Sequence, residues 1–263
     1  MAGTIPRQLV AAAAHCWHGL ADLLLPAVCC ACQADDIAEQ GLCGACQAAM
    51  LRQVATPYCP RCGATLGPGV PPRSDGCREC DSLLPRYEHL FRLGPYADPL
   101  RAIIRQLKYH RQETMRRPLG AMLAEAIRAQ PSAPRLDVVL AVPMHWRRRL
   151  MRGYDHARAL AEAIAAPLGM SVGDELVRVK PTPPQANLPR TRRIENVRGA
   201  FEVRRPWGLQ GASILLVDDV CTTGATVGEA AKALLAAGAE HVLVAVIAKA
   251  EAPTAYAEWK QKA

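Results

Sequence analysis

Polar and apolar residues follow different patterns in the two parts of this chain. From residue 87 onward, short apolar runs alternate with segments in which apolar residues recur at helical spacing. This alternation is typical of α/β domains that contain a parallel sheet. Between residues 29 and 85 large apolar residues are few, and glycine and proline dominate residues 67–72. We therefore predict a small module with little core of its own, followed by an α/β domain.

The helical spacing predicts four helices in the second part. Apolar residues mark one helix face within residues 100–107, within 119–127 and within 159–164. Pro118 separates the first two of these segments, since proline opens or ends a helix. A fourth amphipathic segment follows directly after Thr226 and predicts the last helix.

Apolar runs predict the strands. Residues 87–96 are expected to be extended, and residues 137–143 form a short apolar run that ends at proline. Ile214 to Val217 are apolar without polar alternation, as expected of a strand that is covered on both faces. This last run is therefore predicted to be a central strand.

Two carboxylates and a hydroxyl-rich turn follow the predicted central strand. Asp218 and Asp219 stand at its expected carboxyl end, where open α/β sheets bind ligands. Carboxylates accept hydrogen bonds from sugar hydroxyls, and a turn that opens a helix presents free amides to a phosphate. The alternative is a polar turn that only caps the helix. The order of features predicts a ribose-phosphate site at Val217, Asp218, Asp219, Val220, Thr222, Thr223, Gly224, Ala225 and Thr226.

The composition favours an anionic ligand or partner. The chain has 263 residues, 50% of them apolar, which suffices for one large core and a smaller module. Its formal net charge is +8 at pH 7, but arginine is scattered through both halves of the chain. The charge therefore suits nucleic acid without identifying it as the partner.

No apolar run reaches the roughly 20 residues that a membrane-spanning helix needs. Residues 10–28 come nearest, but histidines, Asp22 and Pro26 interrupt them. A basic start before a short apolar stretch also resembles a signal peptide. We instead predict an amphipathic N-terminal helix over residues 1–28. A cytoplasmic location is expected, because the cysteines that follow require a reducing compartment.

Cysteine is concentrated near the start of the chain. Ten of the eleven cysteines precede residue 81, and eight of them form four C-x-x-C pairs. A C-x-x-C turn brings two thiolates to one side, and two such turns complete a tetrahedral site for Zn²⁺. Pairing the turns in chain order predicts two structural zinc sites. The ligands are Cys29, Cys32, Cys43 and Cys46 in the first site, and Cys59, Cys62, Cys77 and Cys80 in the second.

Other chemistry is open to the same cysteines. A disulfide framework fits cysteine-dense modules, and an iron–sulfur cluster also takes thiolate ligands. The even repetition of the pairs and the expected reducing compartment favour zinc. Cys30 is an alternative to Cys29 as the first ligand, although it would give a C-x-C pair. Because a closed site of four thiolates has no open position for substrate, residues 29–85 are predicted to have a structural or adhesive role.

A long polar segment precedes the central strand. Residues 180–201 are rich in proline and basic residues, and loops of more than about 12–15 residues inside a domain are usually lids or links. We predict a mobile cover that brings Gln185, Arg193 and Asn196 toward the site and excludes water from it. A flexible surface loop is the alternative.

Four C-x-x-C pairs joined to the acid pair and its turn resemble the ComF family, whose founding members serve natural competence and DNA uptake. The segment from Val217 to Thr226 resembles the phosphoribosyl-pyrophosphate (PRPP) motif of type I phosphoribosyltransferases. One departure is Tyr154-Asp155-His156-Ala157, where the family usually has Phe-Asn-Gln-Ala. The resemblance covers most of the chain, with further matches at Leu107-Lys108-Tyr109, Val142 to His145, Arg152 to Tyr154, Thr182, Gln185, Leu188, Arg193, Asn196-Val197 and Phe201.

The resemblance implies a fold and a ligand. The fold is a type I phosphoribosyltransferase-like parallel sheet with helices on both faces over residues 86–263, preceded by the double zinc ribbon. Asp218 and Asp219 would hold the ribose hydroxyls of PRPP or ribose 5-phosphate, and Mg²⁺ would accompany the ligand. The resemblance also implies a pyrophosphate loop at Pro143, Met144, His145 and Arg147, for which a solvated arginine run is the alternative.

Two functions from different classes follow from these features. The first is an enzyme that transfers the phosphoribosyl group to an acceptor, with Asp218 and Asp219 as its catalytic residues. The second is an adaptor that senses a nucleotide, with zinc ribbons and a basic surface that bind DNA or a helicase of the DNA-uptake machinery. An inert structural relic is less expected, because both acids and all the hydroxyls of the turn are present.

Overall fold

The computed structural model describes most of the chain. The N-terminal helix predicted for residues 1–28, apart from residue 28 itself, lies outside the described residues, as do Arg147 and Gln185. The described ranges are 28–37, 41–83, 85–109, 114–130, 133–145, 153–182 and 190–251.

A five-stranded parallel sheet forms the centre of the second part. The strands of the described residues are β1 (His89–Pro95), β2 (Val138–Ala141), β3 (Val172–Gly173), β4 (Leu176–Arg178), β5 (Phe201–Val203), β6 (Ser213–Cys221) and β7 (His241–Lys249). The order across the large sheet is β1-β7-β6-β2-β3, while β4 and β5 pair antiparallel beside it. The position of β6 between β7 and β2 agrees with the central strand that its apolar run predicts.

Helices cover this sheet and also occur in the cysteine-rich part. The four predicted helices are present as α3, α4, α5 and α7. Within the described residues no helix is both long and apolar enough to cross a membrane. The helix bounds are α1 (Gly44–Val54), α2 (Arg78–Leu83), α3 (Leu100–Tyr109), α4 (Arg116–Arg128), α5 (His156–Leu168), α6 (Arg190–Val197) and α7 (Ala225–Ala236), and a 3₁₀ turn spans Pro206–Leu209.

Apolar side chains of β6 are buried on both faces of the sheet. Leu215 belongs to the core under α3, α4 and α5. Leu216 belongs to the core under α7. Both side chains are 0% exposed, because successive residues of a strand point to opposite faces and each face carries its own helices. The α/β fold with helices on both faces is thereby confirmed.

The central strand is longer than its apolar run predicts. It continues through Asp218 and Asp219 to Cys221, because β7 pairs with it as far as the register position of Lys249. The acids therefore lie within the strand and not after it. Val217 and Val220 pack against the same core, so the regular alternation of side chains along the strand is interrupted between these two residues. Helix α7 begins at Ala225, slightly earlier than predicted.

The first cysteine module shares the core of the α/β domain. Leu42 and Met50 are buried in the same cluster as Phe91 of β1. Gln53 of α1 donates hydrogen bonds to the carbonyl oxygens of Ala97 at 3.3 Å and Asp98 at 3.0 Å. The module therefore compensates for its few apolar residues by packing against the sheet.

Part of the long polar segment, residues 180–201, forms regular secondary structure. Its second half contains α6 and ends at β5, and Val197 at the end of α6 is 1% exposed. Gly199 N donates a 2.8 Å hydrogen bond to Glu229 Oε1 of α7. Val197 and Gly199 thus attach the end of this segment to the α7 side of the sheet. The sequence predicts a mobile cover here and does not indicate the helix α6. A helix this short, with few apolar residues, leaves little periodic signal.

Candidate functional site

Asp219 forms ion pairs with two residues that are distant in sequence. Its Oδ2 lies 2.7 Å from Lys108 Nζ near the end of α3 and 3.0 Å from His156 Nε2 at the start of α5. Asp155 caps α5 by accepting a 3.2 Å hydrogen bond from Arg158 N, which fixes the first turn that carries His156. Two helices on one face of the sheet therefore bring a lysine and a histidine to one carboxylate of β6.

The two carboxyl groups have different affinities for protons. Burial and the neighbouring charge of Asp219 raise the pKa of Asp218 to about 7. Burial alone would also raise the pKa of Asp219, but Lys108 and His156 outweigh it and lower that pKa below its ordinary value. Asp219 is therefore ionised at neutral pH, while Asp218 is close to its midpoint. The backbone adds one contact, since Asp219 N donates to Asp218 Oδ1 at 2.8 Å.

The turn between β6 and α7 has the geometry of an anion site. Gly224 has a φ of 77°, in the left-handed region that favours glycine, and it immediately precedes the first residue of α7. Thr223 Oγ1 accepts a 3.4 Å hydrogen bond from Ala225 N. The first amides of a helix have no partner within it, and the helix dipole makes its N-terminus positive. The turn is thus suited to a phosphate group.

A lysine supports this turn from the neighbouring strand. Lys249, the last residue of β7, is only 5% exposed. Its ammonium group donates to the carbonyl oxygen of Thr222 and, at 3.1 Å, to that of Ala250. Lys249 therefore places a positive charge beside the first residue of the turn.

A small cleft opens on the side of the sheet that Asp219 faces. Arg116 at the start of α4 donates a 3.4 Å hydrogen bond to the hydroxyl of Tyr154 there. The cleft combines an apolar wall with charged groups, as ligand sites usually do. Its lining includes Ile104, Leu160, Arg116, Tyr154, His156 and Asp219.

The predicted pyrophosphate loop begins beside the acid pair. Pro143, Met144 and His145 follow β2, whose end is adjacent to β6 in the sheet. Val142 N donates a 2.8 Å hydrogen bond to Val217 O, which ties the start of the loop to the residue before Asp218. The side chain of Val217 itself is 0% exposed and packs in the core.

The predicted cover residues lie apart from the cleft. Arg193 and Asn196 are on α6, which packs against α7 on the opposite face of the sheet from α3 and α5. The cleft contacts no residue of α6. The structure therefore places these two side chains near α7, and not over Asp219.

Several basic residues of the site, Arg116 among them, were not among the sequence-predicted site residues. Lys108 belongs to a Leu-Lys-Tyr match to the family, His156 occupies the position where the chain departs from the family, and Lys249 ends an otherwise apolar strand. Each of these features marks the residue as unusual. None of them indicates which carboxylate or carbonyl it contacts.

The eight cysteines of the C-x-x-C pairs form two groups in chain order. Within each group the four sulfur atoms lie within 4.8 Å of one another. Three of the sulfur pairs are 3.6, 3.7 and 3.6 Å apart, close to the about 3.8 Å edge of a tetrahedron with Zn–S bonds of about 2.3 Å. The residues present therefore fit Zn²⁺ at both sites. The groups are Cys29, Cys32, Cys43 and Cys46, and Cys59, Cys62, Cys77 and Cys80.

Cys30 lies outside the first group. Its backbone N donates to Gly41 O at 3.0 Å, and its side chain is 4% exposed. Its sulfur is not among the four that lie within 4.8 Å of one another, and this geometry favours Cys29 as the first ligand.

The parallel sheet, the paired acids of β6 and the turn before α7 define a phosphoribosyltransferase-type domain, and the two groups of cysteines define a double zinc ribbon. Two family matches agree with this division. The double zinc ribbon domain family matches residues 20–85. The phosphoribosyl transferase domain family matches residues 150–262.

Two relatives match this chain over most of their own length. DNA utilization protein YhgH of Salmonella typhi is 31% identical over 228 residues, which are 84% of this chain and 96% of that protein. Competence protein F of Haemophilus influenzae is 30% identical over 220 residues, 81% of this chain and 93% of that protein. The chain belongs to the ComF family, as its sequence pattern indicates. A shorter likeness, to orotate phosphoribosyltransferase of Bartonella tribocorum, is 36% over 102 residues, 38% of this chain and 52% of that enzyme.

Proposed function

We propose that this protein binds PRPP or ribose 5-phosphate together with Mg²⁺ and transfers the phosphoribosyl group of PRPP to an acceptor, with release of pyrophosphate. The observation that carries the proposal is the position of Asp218 and Asp219 in β6, just before the turn that opens α7. This arrangement places acceptors for ribose hydroxyls and donors for a phosphate next to each other at the carboxyl edge of the sheet.

The turn holds the 5′-phosphate of the ligand. Backbone amides at the start of α7 donate to the phosphate oxygens, and the hydroxyls of Thr222, Thr223 and Thr226 add further donors. Gly224 permits this geometry because its positive φ is accessible to glycine without strain. Lys249 increases the positive charge beside the turn, which favours a dianion.

The acids hold the ribose and assist departure of the leaving group. As the bond between ribose C1′ and pyrophosphate breaks, positive charge develops on the ribose ring, and an acceptor nucleophile forms the new bond at C1′. A buried, preorganised carboxylate stabilises that charge, and Lys108 and His156 keep Asp219 ionised and in place for this role. Pro143, Met144, His145 and Arg147 are proposed to receive the leaving pyrophosphate.

Mg²⁺, when bound, neutralises the negative charge that accumulates on the departing pyrophosphate. The acid pair fits a nearby divalent cation, because carboxylate oxygens are the ligands that Mg²⁺ prefers. Ionisation of Asp218 is disfavoured by burial and by the charge of Asp219, and a cation nearby would offset this. Gln185, Arg193 and Asn196 are proposed to belong to a cover that approaches the bound donor from the side of α7, not from the cleft beside Asp219, and limits access of water to it.

A second candidate is a nucleotide-sensing adaptor in DNA uptake. It is favoured by the names of two relatives, DNA utilization protein YhgH and competence protein F. In that case the retained pocket reports the nucleotide, and the basic surface contacts DNA or a helicase partner. The four-thiolate sites favour the cytoplasm in both cases, since zinc thiolates persist in a reducing compartment.

Calorimetric titration with PRPP and Mg²⁺ tests the proposal. The double variant Asp218→Asn/Asp219→Asn should lose binding, whereas Asp137→Asn should bind as the wild type does. Asp137 is a matched control because its carboxylate accepts a 2.8 Å bond from Ser213 N, at the opposite end of β6. Failure of the wild type to bind PRPP contradicts the pocket assignment.

Release of pyrophosphate then separates the enzyme from the adaptor. The wild type is incubated with PRPP, Mg²⁺ and a panel of bases and amines, and pyrophosphate is measured with a coupled assay. Release that depends on one acceptor supports transfer. Binding without release, together with a salt-dependent DNA shift, favours the adaptor.

A further inference from the structure

A buried charged cluster joins the second zinc module to the end of β7. This module is the segment from Tyr58 to Cys80, which carries the second group of four cysteines. Glu251 Oε1 accepts hydrogen bonds from Thr65 N at 3.1 Å, from Thr65 Oγ1 at 2.6 Å and from Arg92 at 2.8 Å. Arg92 also donates to Thr65 Oγ1 at 2.8 Å. The side chains of Arg92 and Glu251 are 0% and 7% exposed. Little water competes for these bonds, so each one restricts its partners strongly.

This cluster is attached to one turn of the second zinc site. Thr65 pairs with Tyr58 in an isolated β-bridge, and the two residues enclose the turn that carries Cys59 and Cys62. The Arg92 guanidinium lies 5.0 Å from the centre of the Tyr58 ring. Glu251 and Arg92 therefore contact both ends of a zinc-binding turn.

Residues 249–251 also contact the turn between β6 and α7, which is called the phosphate turn below. Lys249, two residues before Glu251, donates to the carbonyl oxygen of Thr222. Ala250 N donates a 2.8 Å hydrogen bond to Cys221 O, immediately before Thr222. Residues 249–251 thus hold the zinc module on one side and the first residue of the phosphate turn on the other.

We propose that the second zinc module positions the phosphate turn through Glu251 and Lys249, and so sets its affinity for a sugar phosphate. This inference rests on the proposed function for the identity of the ligand. Lys249 keeps the Thr222 carbonyl directed toward its ammonium group and away from the amides that bind phosphate. Without that restraint the carbonyl oxygen is free to turn toward the phosphate, where it repels the anion. Glu251 and Lys249 are positioning residues and do not contact the ligand.

The variant Glu251→Gln tests the proposal, with Glu88→Gln as its matched control. Glu88 pairs with His241 at 2.7 Å at the other end of β7, far from the turn. In ligand-free protein, Glu251→Gln should speed hydrogen exchange of the amides of residues 222–226 by about tenfold, since the turn opens more readily. The control should leave their exchange unchanged.

Binding of ribose 5-phosphate supplies an independent readout. Glu251→Gln should weaken the affinity by about tenfold, the effect of one charge-assisted hydrogen bond, while zinc content stays at the wild-type value. Lys249→Met should have the same effect, and Lys249→Arg should restore most of the binding. If Glu251→Gln does not fold, the two Lys249 variants make the same test.

One outcome would contradict the positioning role, and another would contradict the proposed function. Unchanged exchange and unchanged affinity in Lys249→Met and in any folded Glu251→Gln overturn the positioning role. If the wild type does not bind ribose 5-phosphate, the proposed function fails, whereas exchange in the ligand-free protein still decides whether the zinc module holds the turn.

Discussion

The ammonium group of Lys108 lies 2.7 Å from Asp219 Oδ2, although the two residues belong to separate elements of the α/β domain. Their side chains are 24% and 12% exposed. Burial opposes the charge of Lys108, yet Asp219 and Asp218 raise its pKa above the ordinary value. The pair is therefore charged, and it neutralises one of two adjacent acids in a site that is otherwise too negative for a phosphorylated ligand.

Removal of this cation should destabilise the fold. Lys108→Met retains most of the side-chain volume but leaves His156 as the remaining partner of Asp219. We expect the free energy of unfolding to fall by about 2 kcal/mol, between the values for exposed and fully buried ion pairs. Urea denaturation measures the change. Arg101→Gln, which breaks an exposed pair with Asp98, should cost less than about 1 kcal/mol; equal losses would show that burial of the Lys108 pair is unimportant.

The affinity for ribose 5-phosphate should rise as pH increases through about 7. Asp218 is neutral below its raised pKa and ionised above it, and the ionised form accepts hydroxyl hydrogen bonds more strongly. Calorimetry between pH 5.5 and 8.5, as an order-of-magnitude window around that pKa, measures the dependence. Asp218→Asn should retain only the titration of the ligand's own phosphate. The same pH profile in both proteins would contradict a role for Asp218.

Stability without ligand should change with pH in the opposite direction. A carboxyl whose pKa is raised on folding favours the folded state at low pH, and this contribution is lost as pH rises from about 4 through 7. Asp218→Asn removes this titration, so its unfolding free energy should depend less on pH over that interval. Denaturation midpoints at several pH values check this expectation.

Adjacent cysteines should differ in their effect on zinc content. The wild type is expected to hold two Zn²⁺ ions per chain, since both groups of four sulfurs fit the metal. Cys29→Ser should reduce the content to about one ion, because a closed site needs all four of its ligands. Cys30→Ala should retain both ions, since Cys30 lies outside the groups. Elemental analysis of purified protein makes the comparison, and loss of zinc in Cys30→Ala would reverse the assignment of the first ligand.

Two glycines near the phosphate turn should respond oppositely to alanine. Gly224→Ala forces alanine into a left-handed conformation, which should cost about 1 kcal/mol of stability and weaken phosphate binding. Gly228 lies within α7, and nothing lies within 4 Å of the methyl group that alanine would add there. Gly228→Ala should therefore stabilise the protein by up to about 1 kcal/mol. Urea denaturation of both variants tests the contrast, and a shift of the same sign in both would contradict it.

Local sequence determined the elements and the chemistry that depends on short spacing. The run from Ile214 to Val217 predicts a central strand because full burial on both faces leaves no polar alternation. Helical spacing predicts α3, α4, α5 and α7, because one face of each helix is buried and the other is not. The C-x-x-C pairs predict the zinc-ligand groups because only two residues separate the cysteines of a pair, so a short turn brings both sulfur atoms to one side.

Only the tertiary structure decided which distant groups meet. Thr65 and Glu251 are 186 residues apart, and their contact depends on how the second zinc module packs against β1 and β7. Ladder pairing with β7 kept β6 extended through both acids, which the apolar run did not predict. The cations of Asp219 likewise depend on where α3 and α5 cross the sheet. Such contacts follow from strand order and packing, which the local period of a sequence does not encode.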